Sequence, residues 1–296
     1  MPSMSRTLPF IVCCAGVALF AMMDAAMKGL SLSIGLYNAL LWRAVAGSLL
    51  GLVLMVALRQ RWPALPVLRI HLLRGTVVAF MALSFFWALM RMPLAEAIAL
   101  SFISPLIALY LAALLLKERV GRGAIGASLL GLGGVGVILS GRMSGGYDAD
   151  ALAGAGAVLF SAVLFAWNLI IQRQQAQVAS PVEVACFQHL VMLGVFALAA
   201  PKLALAPPPG TVPVIMLAAC LAFVSLAALA WAYARAEAQF LIPVEYSAFL
   251  WAALAGWLAF GERLTLTTLV GGALIVAGCL IAARAGRPPH VEPGIA

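Results

Sequence analysis

The chain has 296 residues, 65% of them hydrophobic and 9% charged, with a formal net charge of +8. That much apolar sequence exceeds what a soluble core needs and suits helices that each place about 20 apolar residues across a bilayer, with backbone hydrogen bonds satisfied internally. The positive charge does not signal nucleic acid, because the basic residues gather in breaks between apolar runs, where membrane topology accounts for them.

Ten apolar runs follow in order. The first, 9–30, is too long for a signal-peptide core and carries Asp24 and Lys28 near its end, so it reads as a retained helix. The two residues are four apart on one face, which allows Asp24 to pair with Lys28 or with Arg43 of the second run, 36–58. That run also holds Gly47 and Gly51 at the spacing that lets helices approach closely. The third, 72–90, ends in Trp87-Ala88-Leu89-Met90-Arg91, and the fourth, 95–116, carries Ser101, Phe102, Ser104 and Pro105. Proline there frees a backbone carbonyl; a kink with ordinary serine back-bonding is the alternative.

The fifth run, 123–141, contains Gly131-Leu132-Gly133-Gly134-Val135-Gly136. This matches a dinucleotide-binding pattern that has meaning only between a strand and a helix, so helix packing is the better reading. Asn168 lies in the sixth run, 152–171, and Gln188 and His189 in the seventh, 182–200. The eighth, 212–234, ends in Trp231-Ala232-Tyr233-Ala234-Arg235. Pro243, Glu245 and Tyr246 lie in the ninth, 241–260, and Gly271, Gly272 and Gly278 in the tenth, 266–283. The Pro-rich tail 286–296 reads as a disordered cytoplasmic segment.

The chain is a duplication. An offset of 144 residues superposes Trp87 on Trp231, Asp24 on Asn168, Lys28 on Gln172, Phe102 on Tyr246, and Glu118-Arg119 on Glu262-Arg263. Basic residues favour the cytoplasmic side. With the N-terminus inside, twelve basic residues, Arg74 among them, fall inside and five, Lys28 among them, fall outside, while Arg43 lies within a span. The expectation is therefore an all-α integral membrane protein of ten transmembrane helices with both termini cytoplasmic. Because five is odd, its two five-helix repeats, 1–145 and 146–285, have inverted topology.

The chain has no Walker A, HExxH or clustered metal ligands, and its five cysteines lie inside apolar runs. No cofactor or metal is expected. An integral membrane lipid enzyme needs clustered acid, base or metal-binding groups near the surface, and the loops carry none. The notable residues are polar groups at membrane depth, where a charge costs about 2.5–3.5 kcal/mol on insertion scales. Asp24, Arg43, Asn168, His189 and Glu245 are candidate solute ligands, with Ser101 as a cavity wall and Trp87, Phe102, Trp231 and Tyr246 as aromatic surfaces. Each has a structural alternative: an internal ion pair for Asp24, an interfacial or packing role for the tryptophans, and a neighbouring helix as partner for His189.

Together these motifs resemble the drug/metabolite transporter superfamily, in its EamA-type ten-helix branch. The resemblance rests on 20–28, Leu73-Arg74-Gly75, 101–105 followed by Lys117-Glu118-Arg119, and Pro243-Val244-Glu245-Tyr246 followed by Gly261-Glu262-Arg263. It implies secondary transport of a small molecule through a central cavity, with the bacterial YddG-type amino-acid exporters as nearest functional model. Uptake of a larger metabolite such as riboflavin or S-adenosylmethionine is the alternative. The expected surroundings are a bacterial inner membrane and its lipid, with no nucleic-acid partner, and both monomer and homodimer stay open.

Overall fold

A computed structural model describes residues 7–104, 106–107, 110–111, 122–143, 149–176, 178–235 and 247–285. Among them the chain is helical and contains no strand. The helices are α1 (Thr7–Ile34), α2 (Leu36–Ala57), α3 (Leu65–Leu89), α4 (Leu94–Ser101), α5 (Arg122–Met143), α6 (Ala149–Ala176), α7 (Pro181–Ala197), α8 (Val212–Tyr233), α9 (Ala248–Phe260) and α10 (Leu266–Ala285). A turn of helix at Ala200–Leu203 and a 3-10 turn at Pro209–Thr211 lie between α7 and α8. Five described segments are long and apolar enough to cross a membrane: Leu8–Ile34, Leu36–Ala57, Leu65–Leu89, Leu152–Gln172 and Pro209–Tyr233.

The helix contacts repeat when the two halves are exchanged. α1 packs on α8 and α9, and α6 on α3 and α4; α3 also meets α7, as α8 meets α2. α2 lies against α7, and α5 against α10. Glycine sets the closest approaches. A Cβ on Gly47 collides with the His189 ring, one on Gly51 lies 2.8 Å from the Cys186 Cα, and one on Gly134 lies 2.5 Å from the Gly271 carbonyl oxygen. Gly131, against Leu106, and Gly134 thus serve helix packing, whereas Gly133 and Gly136 face open space, and α5 and α10 pack on each other within the chain.

The connections collect at two ends. At one, Gly35 alone joins α1 to α2 with a positive φ of 79°, a conformation suited to glycine. Near it the Tyr37 hydroxyl donates to the Phe196 carbonyl at 2.6 Å, and Trp42 Nε1–H donates to the Leu205 carbonyl at 2.8 Å. At the opposite end the Ser180 hydroxyl donates to Gln60 Oε1 at 3.0 Å, and the Trp62 and Phe187 rings meet edge to face at 4.9 Å. The first end therefore holds the connections after α1 and α7, and the second those after α2 and α6.

Three expectations need correction. α3 begins at Leu65 rather than 72, which places Arg74 well inside the helix, 3% exposed, rather than at its start. A guanidinium is tolerated there because side chains of α6 satisfy it. The fourth span is not continuous: α4 stops at Ser101, and Phe102 and Ile103 form a turn. Lys28 does not pair with Asp24; it reaches Glu262 instead. Pro105, Lys117, Glu118, Arg119, Pro243, Glu245, Tyr246 and the tail 286–296 lie outside the described residues.

Candidate functional site

Asp24 lies ten residues before the end of α1, about 15 Å along its axis at 1.5 Å per residue. It is 5% exposed and makes no hydrogen bond or ion pair among the described residues. The nearest compensating charge is Arg43 of α2, 6% exposed, whose field reaches both Asp24 and His189. Arg43 forms no direct ion pair among the described residues. Its Nη1 lies 3.9 Å from the Met23 sulfur, its guanidinium lies 6.0 Å from the centre of the Phe86 ring, and its buried Nε has no partner.

His189 closes the same layer from α7. Its Nδ1–H donates to the Ala185 carbonyl at 2.9 Å, because a carbonyl can only accept, and this leaves Nε2 as the acceptor of the neutral ring. The ring stacks on Phe223 at 6.2 Å and lies against Gly47. Phe102 is buried at the end of α4, whereas the Ser101 hydroxyl donates back to the Ile98 carbonyl at 2.8 Å. Serine back-bonding therefore accounts for Ser101 locally.

Asn168, the repeat mate of Asp24, belongs to a second polar layer. Its Oδ1 accepts from Arg74 Nε–H at 2.9 Å, and Arg74 Nη1–H donates to Gln175 Oε1 at 2.5 Å. Gln175 Nε2 lies 2.6 Å from His71 Nδ1, and His71 Nε2 lies 2.9 Å from Glu183 Oε1. This chain leads from the bundle interior to the first turn of α7, where Glu183 N–H also donates to the capping Ser180 hydroxyl. Sequence reading missed it. The available signal was His71 and Arg74 at i, i+3 on one helical face.

The two tryptophans do not share a layer. The Arg91 guanidinium lies 3.5 Å from the centre of the Trp87 ring, and the Arg235 guanidinium 4.3 Å from that of Trp231. Each arginine also donates to the carbonyl of its own tryptophan, at 3.0 and 3.2 Å. Trp87 ends α3 near Met92 and Leu94, while Trp231 ends α8 beside the Cys13 and Val17 cluster at the start of α1. The motifs cap helices at opposite ends.

A clasp holds the Met92 end. Lys28 Nζ–H donates to Glu262 Oε1 and to the Met92 carbonyl, the latter at 2.8 Å, and the ammonium lies 5.1 Å from the Phe260 ring centre. Glu262 Oε2 accepts from Leu94 N–H at 2.8 Å, occupying a donor that the first turn of α4 leaves free. Gly261, at φ 63°, ends α9 and turns the chain so that Glu262 can reach both partners.

A family model described as the EamA-like transporter family matches residues 7–140 and again 152–284. The chain belongs to that family. It is therefore an EamA-type transporter, a member of the drug/metabolite transporter superfamily. It is 28% identical over 274 residues to the pseudopaline exporter CntI of Pseudomonas aeruginosa (strain UCBPP-PA14), covering 90% of this chain and 92% of that one. Over 235 residues it is 32% identical to the riboflavin transporter of Rhizobium johnstonii, covering 78% and 73% of the two chains. A protein crystal structure matches with a TM-score of 0.63 at 21% identity over 96% of this EamA-type chain and 99% of its own, a likeness of fold.

Proposed function

We propose that the protein exports amino-acid-like zwitterions, aromatic and hydrophobic ones included, across a bacterial inner membrane by alternating access. The observation carrying this reading is the separation of Asp24 from Arg43: a buried carboxyl group and a buried guanidinium without a direct bond between them. A zwitterion placed between them gives its ammonium to Asp24 and its carboxylate to Arg43, forming two charge-assisted hydrogen bonds. Phe86 offers apolar surface beside Arg43, and Phe102, buried at the end of α4, stays in this proposal on the sequence. Glu245 and Tyr246 stay in this proposal on the sequence alone, and Asn168 enters it as the mate of Asp24.

The proposal includes ten spans in two inverted repeats, 1–145 and 146–285, with cytoplasmic termini. The exchange of helix contacts between the halves supports the duplication, and the grouping of connections at two ends supports alternating spans. Solute exchange across such a bundle requires its helix groups to part at one end and then at the other.

Counterflow in proteoliposomes tests the function. Vesicles loaded with one unlabelled amino acid should accumulate its labelled counterpart, and Asp24→Asn or Arg43→Gln should abolish accumulation. The riboflavin transporter relative gives the second reading a specific basis. Accumulation of riboflavin but no amino acid makes this a larger-metabolite carrier and overturns the zwitterion proposal.

A further inference from the structure

The polar chain beneath Asn168 has only one consistent arrangement of protons. Arg74 carries donors alone, so both oxygens bonded to it are fixed as acceptors: Oδ1 of Asn168 and Oε1 of Gln175. Gln175 therefore directs its Nε2–H toward His71 Nδ1, which accepts, and His71 carries its proton on Nε2 and donates to Glu183. His71, Arg74 and Gln175 are each at most 3% exposed, so no water substitutes freely for a lost partner. Glu183 is partly exposed at the end holding the connections after α2 and α6. Among the described residues, the charged groups facing His71 are Glu183 from α7 and Arg74 on its own helix; α6 contributes the Gln175 amide, and Phe187 stacks on the ring at 4.7 Å.

A second proton is incompatible with this order. Imidazolium has N–H on both nitrogens, which sets Nδ1–H against the Gln175 amide donor. Turning the amide over relieves that contact but presents its NH2 group to Arg74 Nη1, another pair of donors. Either arrangement costs one bond of the chain.

We propose that His71 and Glu183 form a proton-operated latch: uptake of a proton from water at this end frees Arg74 from Gln175 and thereby changes the hold on Asn168. Arg74 is a positioning residue that keeps the Asn168 oxygen occupied and leaves its amide donors for the solute path. Transport becomes proton-linked through this arrangement. The last step rests on Asn168 lining the path of the proposed solute.

The chain contains two asparagines, Asn38 and Asn168, so side-chain 15N labelling of asparagine in the full-length protein in nanodiscs yields two amide groups to follow. Lowering the pH across the histidine range, from about 8 to about 5, should shift the Asn168 amide signal and leave Asn38 in place. In His71→Asn, whose Oδ1 accepts from Gln175 without titrating and whose own amide adds a third signal, the Asn168 signal should stay fixed; His71→Gln, which adds none, serves if that variant does not fold. No shift in the wild-type protein, or an equal shift in the variant, overturns the latch.

Counterflow over the same range should show a change of about tenfold in apparent KM, as for a typical linked equilibrium, with kcat held and the change absent in His71→Asn. A pH-dependent KM that survives the substitution overturns the link to transport. Failure of every amino acid to exchange strikes the zwitterion reading alone, because the amide measurement needs no solute.

Discussion

Lys28 and Glu262 stand 234 residues apart in sequence and form an ion pair that ties α1 to the connection after α9. Their repeat mates are Gln172 and Glu118, so a charge present in the first half is replaced by an amide in the second. The clasp therefore strengthens one end of the bundle through an ion pair that Gln172, an amide, cannot form. Glu262 also accepts from Leu94 N–H. Glu262→Ala should lower stability by about 1–3 kcal/mol through two orphaned donors, and Glu262→Gln by less because its oxygen can still serve Leu94. Exchanging the charges as Lys28→Glu with Glu262→Lys should fail to restore stability, since lysine offers Leu94 no acceptor. Thermal unfolding in detergent checks all three.

The α2–α7 contact gives a prediction about packing. A methyl group on Gly47 collides with the His189 ring, whereas one on Gly133 meets nothing within 4 Å. Gly47→Ala should cost about 1–3 kcal/mol by overpacking and reduce counterflow, because it displaces a ring in the Asp24 layer. Gly133→Ala should be neutral or slightly stabilising through its higher helix propensity. Paired melting curves and initial rates distinguish the two positions.

Much of the helical order was legible because apolar runs and the offset of 144 residues depend on composition and spacing alone. The α1, α2 and α8 spans lie close to the expected ones. Arg74 was less legible: counted with the cytoplasmic charges at the start of its run, it is buried, and the amides that accept its hydrogen bonds, Asn168 and Gln175, come from another helix. The same holds for Lys28, since Asp24 is its neighbour on the helix and Glu262 is its partner in space. Asp24 and Arg43 were recognisable as candidates because charge at membrane depth is costly wherever it lies. Their separation was not recognisable, because it depends on how α1 and α2 pack.

Asp24 supplies a test that separates function from folding. A buried carboxylate without a hydrogen bond among the described residues contributes little to holding the fold and carries a desolvation cost. Asp24→Asn keeps the shape and removes the charge. Its melting temperature should be unchanged or raised, while amino-acid counterflow falls at least about tenfold, the equivalent of about 1.4 kcal/mol in binding. Loss of folding together with transport would instead make Asp24 a structural anchor.

The tryptophans give the opposite pattern. Trp87 and Trp231 carry Arg91 and Arg235 on their faces at opposite ends of the bundle, an arrangement that secures the last turn of α3 and of α8. Trp87→Ala and Trp231→Ala should each lose about 0.5–1 kcal/mol of cation–π attraction along with the buried part of the ring. Apparent KM per folded molecule should stay within about twofold of wild type, less than the 1.4 kcal/mol that a tenfold change represents. Counterflow normalised to the folded fraction measures this. A large rise in KM for either variant would move that tryptophan into the solute path and make one helix end part of the binding site.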